Sequence, residues 1–358
     1  MAINKIYAKN FTVFNEIAID FTKGINIFIG ENGTGKTHML KLLYSASLVR
    51  SENCDIGGTF GEDFDSAFML IHRITDETLI SEGIEREIAN AVLGKGMTKN
   101  GMIKWEQLEK ARKLKGLELD DFRIGTITFD HPVAKSSVIV ESSRPFPAIF
   151  IPAKDMLTHG RLEKDYAERN LPFDTTLIDI LNKAGVSTVK NMDEGMAAIQ
   201  EKIAGIIGGE VIYKSDRYYI QIRNGQLIGF DMVAEGHKKL GLIYRLIDTG
   251  YLTEGSVLIW DEPEANLNPT LIPIIVDILI DLSIHGVQIF LATHDYVLAK
   301  YFEIKQNNDS DILFHSLYKS DSGVHCESSA CFRNLKENSI NSALDILMDE
   351  VIGRNLGD

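Results

Sequence analysis

The stretch Ile25-Asn26-Ile27-Phe28-Ile29-Gly30-Glu31-Asn32-Gly33-Thr34-Gly35-Lys36-Thr37 constrains this chain more than any other. An apolar run of strand length enters a loop with three glycines and leaves it through a lysine and a threonine. Glycine reaches backbone angles closed to other residues, so consecutive N–H groups of the loop can turn around one anion. Lys36 can then reach the outer phosphates of a nucleotide, and the Thr37 hydroxyl can ligate Mg²⁺. Helical spacing continues through His38-Met39-Leu40-Lys41-Leu42-Leu43-Tyr44-Ser45-Ala46, which aims the positive end of a helix at the same anion. Strand, glycine loop and helix in this order require a sheet with the helix packed on it. The expected ligand is a nucleoside triphosphate.

With 358 residues and 44% hydrophobic content, the chain suffices for one large α/β domain or two average ones. A formal net charge of −14 argues against a broadly basic surface of the kind that coats DNA. Cys54, Cys326 and Cys331 are an odd number without zinc spacing, the pattern of thiols in a reducing cytoplasm. The most apolar stretch, Leu271 to Leu282, is interrupted by Pro273, Asp277 and Asp281, and the first residues lack an apolar signal core. The expectation is a cytoplasmic protein with no membrane partner.

Apolar residues at Ile6, Phe11, Phe14, Ile17, Ile19 and Phe21 predict two short strands ahead of the loop strand. Residues 66–122 read as helical, and 95–115 within them as a basic, solvated helical hairpin. Residues 123–151 alternate as three strands, expected in one antiparallel sheet of the N-terminal half. Helices are expected around Leu177 to Ala184 and Met192 to Ile207. Three strands follow between Val211 and Ile228, turning at Ser215-Asp216 and Asn224-Gly225.

The second half of the expected site lies more than 200 residues from the loop. Val257-Leu258-Ile259-Trp260-Asp261-Glu262 is an apolar strand ending in two acids, able to lie beside the loop strand in a parallel sheet. Asp261 suits Mg²⁺, and Glu262 suits a general base that orients an attacking water. Ahead of it, Ala234-Glu235-Gly236-His237-Lys238-Lys239-Leu240-Gly241 opens a helix on a glycine. Behind it comes the polar loop Pro263-Glu264-Ala265-Asn266-Leu267-Asn268-Pro269. Another buried strand, Val287 to Ala292, ends in Thr293-His294, whose imidazole could reach a γ-phosphate.

This order of motifs, with Asn10-Phe11 near the start, resembles the ABC-class ATPases, and more narrowly the RecF/SMC/OLD-like branch of AAA-family ATP-binding proteins. The likeness covers residues 1–50 and 230–300. It implies an α/β fold, a P-loop NTPase head of ABC type with a mixed β-sheet core, an antiparallel β subdomain and a helical insertion. The chain would be a single ATPase domain, 1–358, in two lobes, 1–150 and 151–358. The cofactors implied are ATP and Mg²⁺. The implied assembly is a homodimer with ATP sandwiched between the phosphate loop of one copy and the signature helix of the other. By this resemblance Gly30, Glu31, Asn32, Gly33, Thr34, Gly35, Lys36 and Thr37 form the Walker A motif. Thr37 and Asp261 hold the metal, and Glu262 is the catalytic base, assisted by Lys36 and by the switch histidine His294. Glu235, Gly236 and His237 contact the nucleotide of the second copy, and Asn266 belongs to the D-loop that crosses the dimer interface. The family's Q-loop glutamine has no match near 151–157, where Lys154 and Asp155 stand, and the signature lacks its serine.

The function expected from the resemblance is a switch that closes on ATP and opens on hydrolysis. It would act on a separate effector protein or on nucleic acid, in DNA repair and maintenance or in anti-phage defence. The alternative is the nucleotide-binding subunit of a membrane transporter, disfavoured by the missing glutamine and serine. A GTPase is disfavoured because Asn182-Lys183-Ala184-Gly185 lacks a base-reading acid, and an added nuclease domain because only 64 residues follow His294.

Overall fold

The computed structural model describes residues 3–11, 13–48, 123–130, 135–142, 147–155, 157–159, 175–307 and 311–356. The expected insertion at 66–122, its basic segment and Cys54 lie outside these residues. The strands are β1 (Ile3–Phe11), β2 (Phe14–Asp20), β3 (Ile25–Gly30), β4 (Arg123–Asp130), β5 (Lys135–Ser142), β6 (Ala148–Ile151), β7 (Gly209–Lys214), β8 (Arg217–Ile222), β9 (Leu227–Gly229), β10 (Val257–Asp261), β11 (Gln288–Ala292), β12 (Ile312–Ser320) and β13 (Gly323–Ser329). The helices are α1 (Lys36–Leu48), α2 (Thr175–Gly185), α3 (Glu194–Ile207), α4 (Glu235–Asp248), α5 (Ile272–Ile284), α6 (Tyr296–Lys305) and α7 (Ser339–Leu356).

A six-stranded sheet, ordered β13-β12-β3-β11-β10-β6, carries the site. All neighbours in it run parallel except β13 against β12. Parallel strands covered on both faces need unbroken apolar runs, which is what β3, β10 and β11 supply. Successive side chains alternate between the faces. Ile25, Ile27, Ile29, Leu258, Trp260, Ile289 and Leu291 pack in the core shared with α3, α4 and α5. Phe28, Ile259, Phe290 and Ala292 pack in the core shared with α1 and with the antiparallel sheet β2-β1-β5-β4. Gln288 ties the two sheets: its side-chain oxygen accepts from Ile3 N at 2.7 Å and its amide donates to Ile3 O at 2.9 Å.

The expected strand pair at the start of the chain, the helix after the loop and the paired helices at 175–207 all form. The turn at Ser215-Asp216 holds both residues at positive φ, 51° and 59°, as a two-residue hairpin of type I′ requires. One expectation is corrected. β4 and β5 join the antiparallel sheet, but β6 leaves it to run parallel to β10 in the central sheet. Its four residues, Ala148 to Ile151, are all buried and carry no polar alternation, so both faces of the strand need cover.

Candidate active site

The loop after β3 owes its shape to its glycines. Gly30, Gly33 and Gly35 sit at φ 142°, 76° and 90°, and a Cβ at Gly30 would stand 2.2 Å from Leu317 O, a backbone atom that cannot swing aside. Thr34 closes the turn, its hydroxyl donating to Glu31 O at 2.8 Å. Lys36 is buried and folds back over the loop, donating from Nζ to Gly30 O at 2.7 Å and Glu31 O at 3.0 Å. Burial lowers the Lys36 ammonium from its ordinary range, and Glu262, Asp261, Glu264 and Glu31 oppose that effect. Glu31, Asn32 and Gly33 are exposed at the tip.

β10 and β11 carry the acids and the histidine to the same edge of the sheet. Thr37 Oγ1 donates to Asp261 Oδ2 at 2.9 Å across 224 positions of sequence. Burial raises the Asp261 carboxyl, partly offset by the Thr37 hydrogen bond. A hydroxyl and a half-buried carboxylate in contact are the hard oxygen donors that Mg²⁺ takes. The residues present therefore fit the implied cation. Glu262 stands at φ 48°, a left-handed conformation unusual for glutamate. Four contacts hold it there: its N–H donates to Ala292 O at 2.9 Å, its carbonyl accepts from Ala265 N at 3.0 Å and from Lys239 Nζ at 3.2 Å, and its carboxylate lies 3.4 Å from His294 Nδ1. The structure thus brings together Lys36, Thr37, Asp261, Glu262 and His294.

The residues of α4 fall elsewhere. Glu235 pairs with Lys238 on its own helix at 2.7 Å, and Lys238 also faces Asp155, 3.7 Å away, just past β6. Gly236 is buried where a Cβ would meet Leu271 and Leu267, and His237 is half-exposed. Asn266 is exposed at φ 59°. Among the described residues no hydrogen bond joins Glu235, Gly236 or His237 to the phosphate loop of the same copy.

Two contributors were not singled out in the sequence. Glu264 accepts from Thr293 Oγ1 at 2.6 Å and from His294 N at 3.4 Å, fixing the end of β11 against the loop after β10. Its other oxygen is buried without a hydrogen bond, and burial raises its carboxyl. Lys239 also donates to Pro263 O at 2.9 Å, and burial brings it from 10.5 down to about 8. The available signals were the second acid of Asp261-Glu262-Pro263-Glu264 and a lysine on the apolar side of an amphipathic helix.

Residues 97–300, more than half of the chain, match the family described as "AAA domain, putative AbiEii toxin, Type IV TA system", and residues 1–141 match an AAA ATPase domain. The DNA replication and repair protein RecF of Streptococcus suis is 39% identical over 51 residues, 14% of each chain. RecF of Streptococcus agalactiae is 29% identical over 128 residues, 36% of this chain and 30% of that protein. The chain thus matches well under half the length of these curated relatives. Among solved structures, the SMC head domain from Thermotoga maritima aligns with 92% of this chain and 99% of its own, at 11% identity and a TM-score of 0.42. No described helix is long and apolar enough to cross a membrane. With a phosphate loop, an acidic strand end and a Thr-His strand end converging on one sheet edge, and the family match running across most of them, the chain belongs to this AAA-domain family.

Proposed function

We propose that the protein binds and hydrolyses ATP as a dimerising switch, coupling closure on ATP to a separate effector protein or to nucleic acid. The observation that carries this reading is the contact of Thr37 with Asp261, beside Glu262 and His294, at the mouth of the phosphate loop. Lys36 and the loop N–H groups would bind the β- and γ-phosphates, and Thr37 and Asp261 would hold Mg²⁺, which neutralises phosphate charge when bound. Glu262 would orient a water and accept its proton as the water oxygen bonds to the γ-phosphorus and the bond to the bridging oxygen of ADP breaks. His294, 3.4 Å from Glu262, would donate to the transferred phosphoryl group.

The sheet order supports two copies acting together. The phosphate loop leaves β3, whereas Lys238 near the start of α4 is anchored to Asp155 beyond β6, three strands away. At about 4.8 Å per strand, that is about 14 Å of lateral offset. Glu235, Gly236 and His237 would therefore serve the nucleotide of a second copy, with Asn266 at the crossing. RecF relatives named for DNA replication and repair and a family named for a toxin–antitoxin system support DNA maintenance or defence as the setting, in the cytoplasm.

The test is the Glu262→Gln variant. Hydrolysis falls by a factor on the order of 10² while ATP binding persists, and the variant with ATP runs as a dimer in size exclusion. Wild-type turnover rises faster than linearly with protein concentration. A variant with normal turnover removes Glu262 from the base role, and a fully active monomer sinks the switch.

A further inference from the structure

On the side of α4 away from the phosphate loop, a cleft of about 410 Å³ opens between the end of α2, strand β7 and the second half of α4. That volume lies in the range of small-ligand sites. Tyr213, Tyr244, Glu210, Arg245 and Asp248 contribute to its wall. Tyr244 is only 7% exposed, yet its hydroxyl makes no hydrogen bond to a described residue. Burial, with Glu210 and Asp248 nearby, pushes that hydroxyl up to about 12, so it remains a donor throughout the physiological range.

The charge in the cleft is one-sided. Arg245 is consumed by the protein: Nε donates to Ala184 O at 3.1 Å, Nη2 to Ala184 O at 2.9 Å and Val186 O at 3.0 Å, and Nη1 to the Asp248 carboxylate. Asp248 is neutralised in the same contact. Glu210 has no cationic partner among the described residues. An exposed carboxylate without a cation, beside a phenol oxygen that can accept and the partly exposed Tyr213 ring, suits an organic cation. An anion would meet uncompensated negative charge here.

We propose that this cleft binds an organic cation, a guanidinium or ammonium group, held between the exposed carboxylate of Glu210 and the phenol oxygen of Tyr244, which accepts from it, beside the ring of Tyr213. The group could be the arginine or lysine side chain of a protein partner or a free polyamine. Because Tyr244 and Asp248 lie on the same 14-residue helix as Glu235 and Lys239, occupancy bears on the loop after β10 through a rigid rod about 21 Å long. This coupling rests on the ATPase reading above; the binding does not.

The experiment titrates the whole chain with N-acetyl-arginine amide, with spermidine and with inorganic phosphate, followed by calorimetry in the absence of nucleotide. At least one cation saturates with a Kd on the order of 1 mM, and Glu210→Gln and Tyr244→Phe each weaken it roughly tenfold. Saturation by the amide alone points to a protein side chain, by spermidine alone to a polyamine. No saturation by either cation up to about 10 mM, equal binding by both variants, or binding of phosphate in their place overturns the proposal. Both substitutions are conservative and touch no residue of the nucleotide site, so unfolding does not mimic the result. A separate arm measures ATP turnover with the cleft filled: a change in wild type that is lost in Glu210→Gln is expected, and unchanged turnover with binding intact overturns the coupling.

Discussion

Replacing Lys239 by methionine tests whether a charged group is held at a cost under the catalytic loop. Lys239 is 6% exposed and donates to Glu262 O and Pro263 O. Burial lowers it from 10.5 to about 8, against the pull of Glu264, Glu235, Glu262 and Asp155. At roughly 1.4 kcal/mol per unit, keeping the ammonium in the folded state at neutral pH costs about 3 kcal/mol. The folded chain releases this proton at lower pH than the unfolded chain, so above about pH 8 the unfolded state binds more protons and stability rises with pH. Between about pH 7.5 and 9.5 the gain is about 2 kcal/mol. Tyr244 and Cys326, each pushed up to about 12 by burial, act in the opposite sense, the thiol from about pH 9 and so inside this window. The measurement is therefore a difference: urea unfolding of wild type and Lys239→Met, without nucleotide, across that window. The variant also leaves Pro263 O without its donor and Glu262 O with Ala265 N–H alone, a roughly constant cost of about 1–3 kcal/mol that shifts the curve without tilting it. Stability of wild type relative to the variant climbs by about 2 kcal/mol as pH rises through the window. Parallel curves would mean that Lys239 is solvated and that its place under Glu262 has been misjudged.

Gly30→Ala adds a Cβ 2.2 Å from Leu317 O at a φ of 142°, so the variant loses about 2–4 kcal/mol of stability and its ATP binding, read by thermal melting with and without nucleotide. Retained nucleotide protection would show that β12 yields easily beside the loop. Thr293→Val keeps the buried shape of its side chain but removes the donor to Glu264 and the acceptor for Asp295 N, 2.9 Å away. It lowers stability by about 2 kcal/mol and also lowers turnover, since His294 follows Thr293 directly. Full activity would dissociate the histidine from that anchor.

The parts of the site that were legible in the sequence share one property: each is a short run whose residue types fix both an element and a chemistry. Gly30, Gly33 and Gly35 announce a turn, and Val257 to Glu262 announces a strand with acids at its carboxyl end. The structure adds that Thr37 and Asp261 touch. What was not legible depends on pairing between distant segments. Gln288 reads as an ordinary polar strand start, yet it joins the two sheets through Ile3, 285 positions away. β6 is a four-residue apolar run without polar alternation, and only its pairing with β10 assigns it to the central sheet. Lys239 looks like one of two neighbouring lysines on a helix. Its neighbour Lys238 meets Glu235 and Asp155, while Lys239 turns under the loop after β10. One turn angle decides which becomes structural, and no composition or period encodes it.

The contacts that hold Glu262 come from different parts of the fold, and this separates binding from turnover. Ala292 and His294 belong to β11 and its end, inside the same sheet as the phosphate loop. Lys239 alone comes from α4. The bond between Thr37 and Asp261 uses neither α4 nor the carbonyl of Glu262. A disturbance of α4 therefore reaches the base without reaching the groups that would grip phosphate and cation. Lys239→Met then keeps ATP affinity within about threefold of wild type while turnover falls roughly tenfold or more, because a glutamate at φ 48° loses the one donor that α4 gives its carbonyl, which is then held by Ala265 N–H alone. Nucleotide affinity measured with a fluorescent ATP analogue, beside steady-state hydrolysis, distinguishes the two. Equal losses in both would mean that α4 supports the phosphate loop as a whole, and that the base has no separate control.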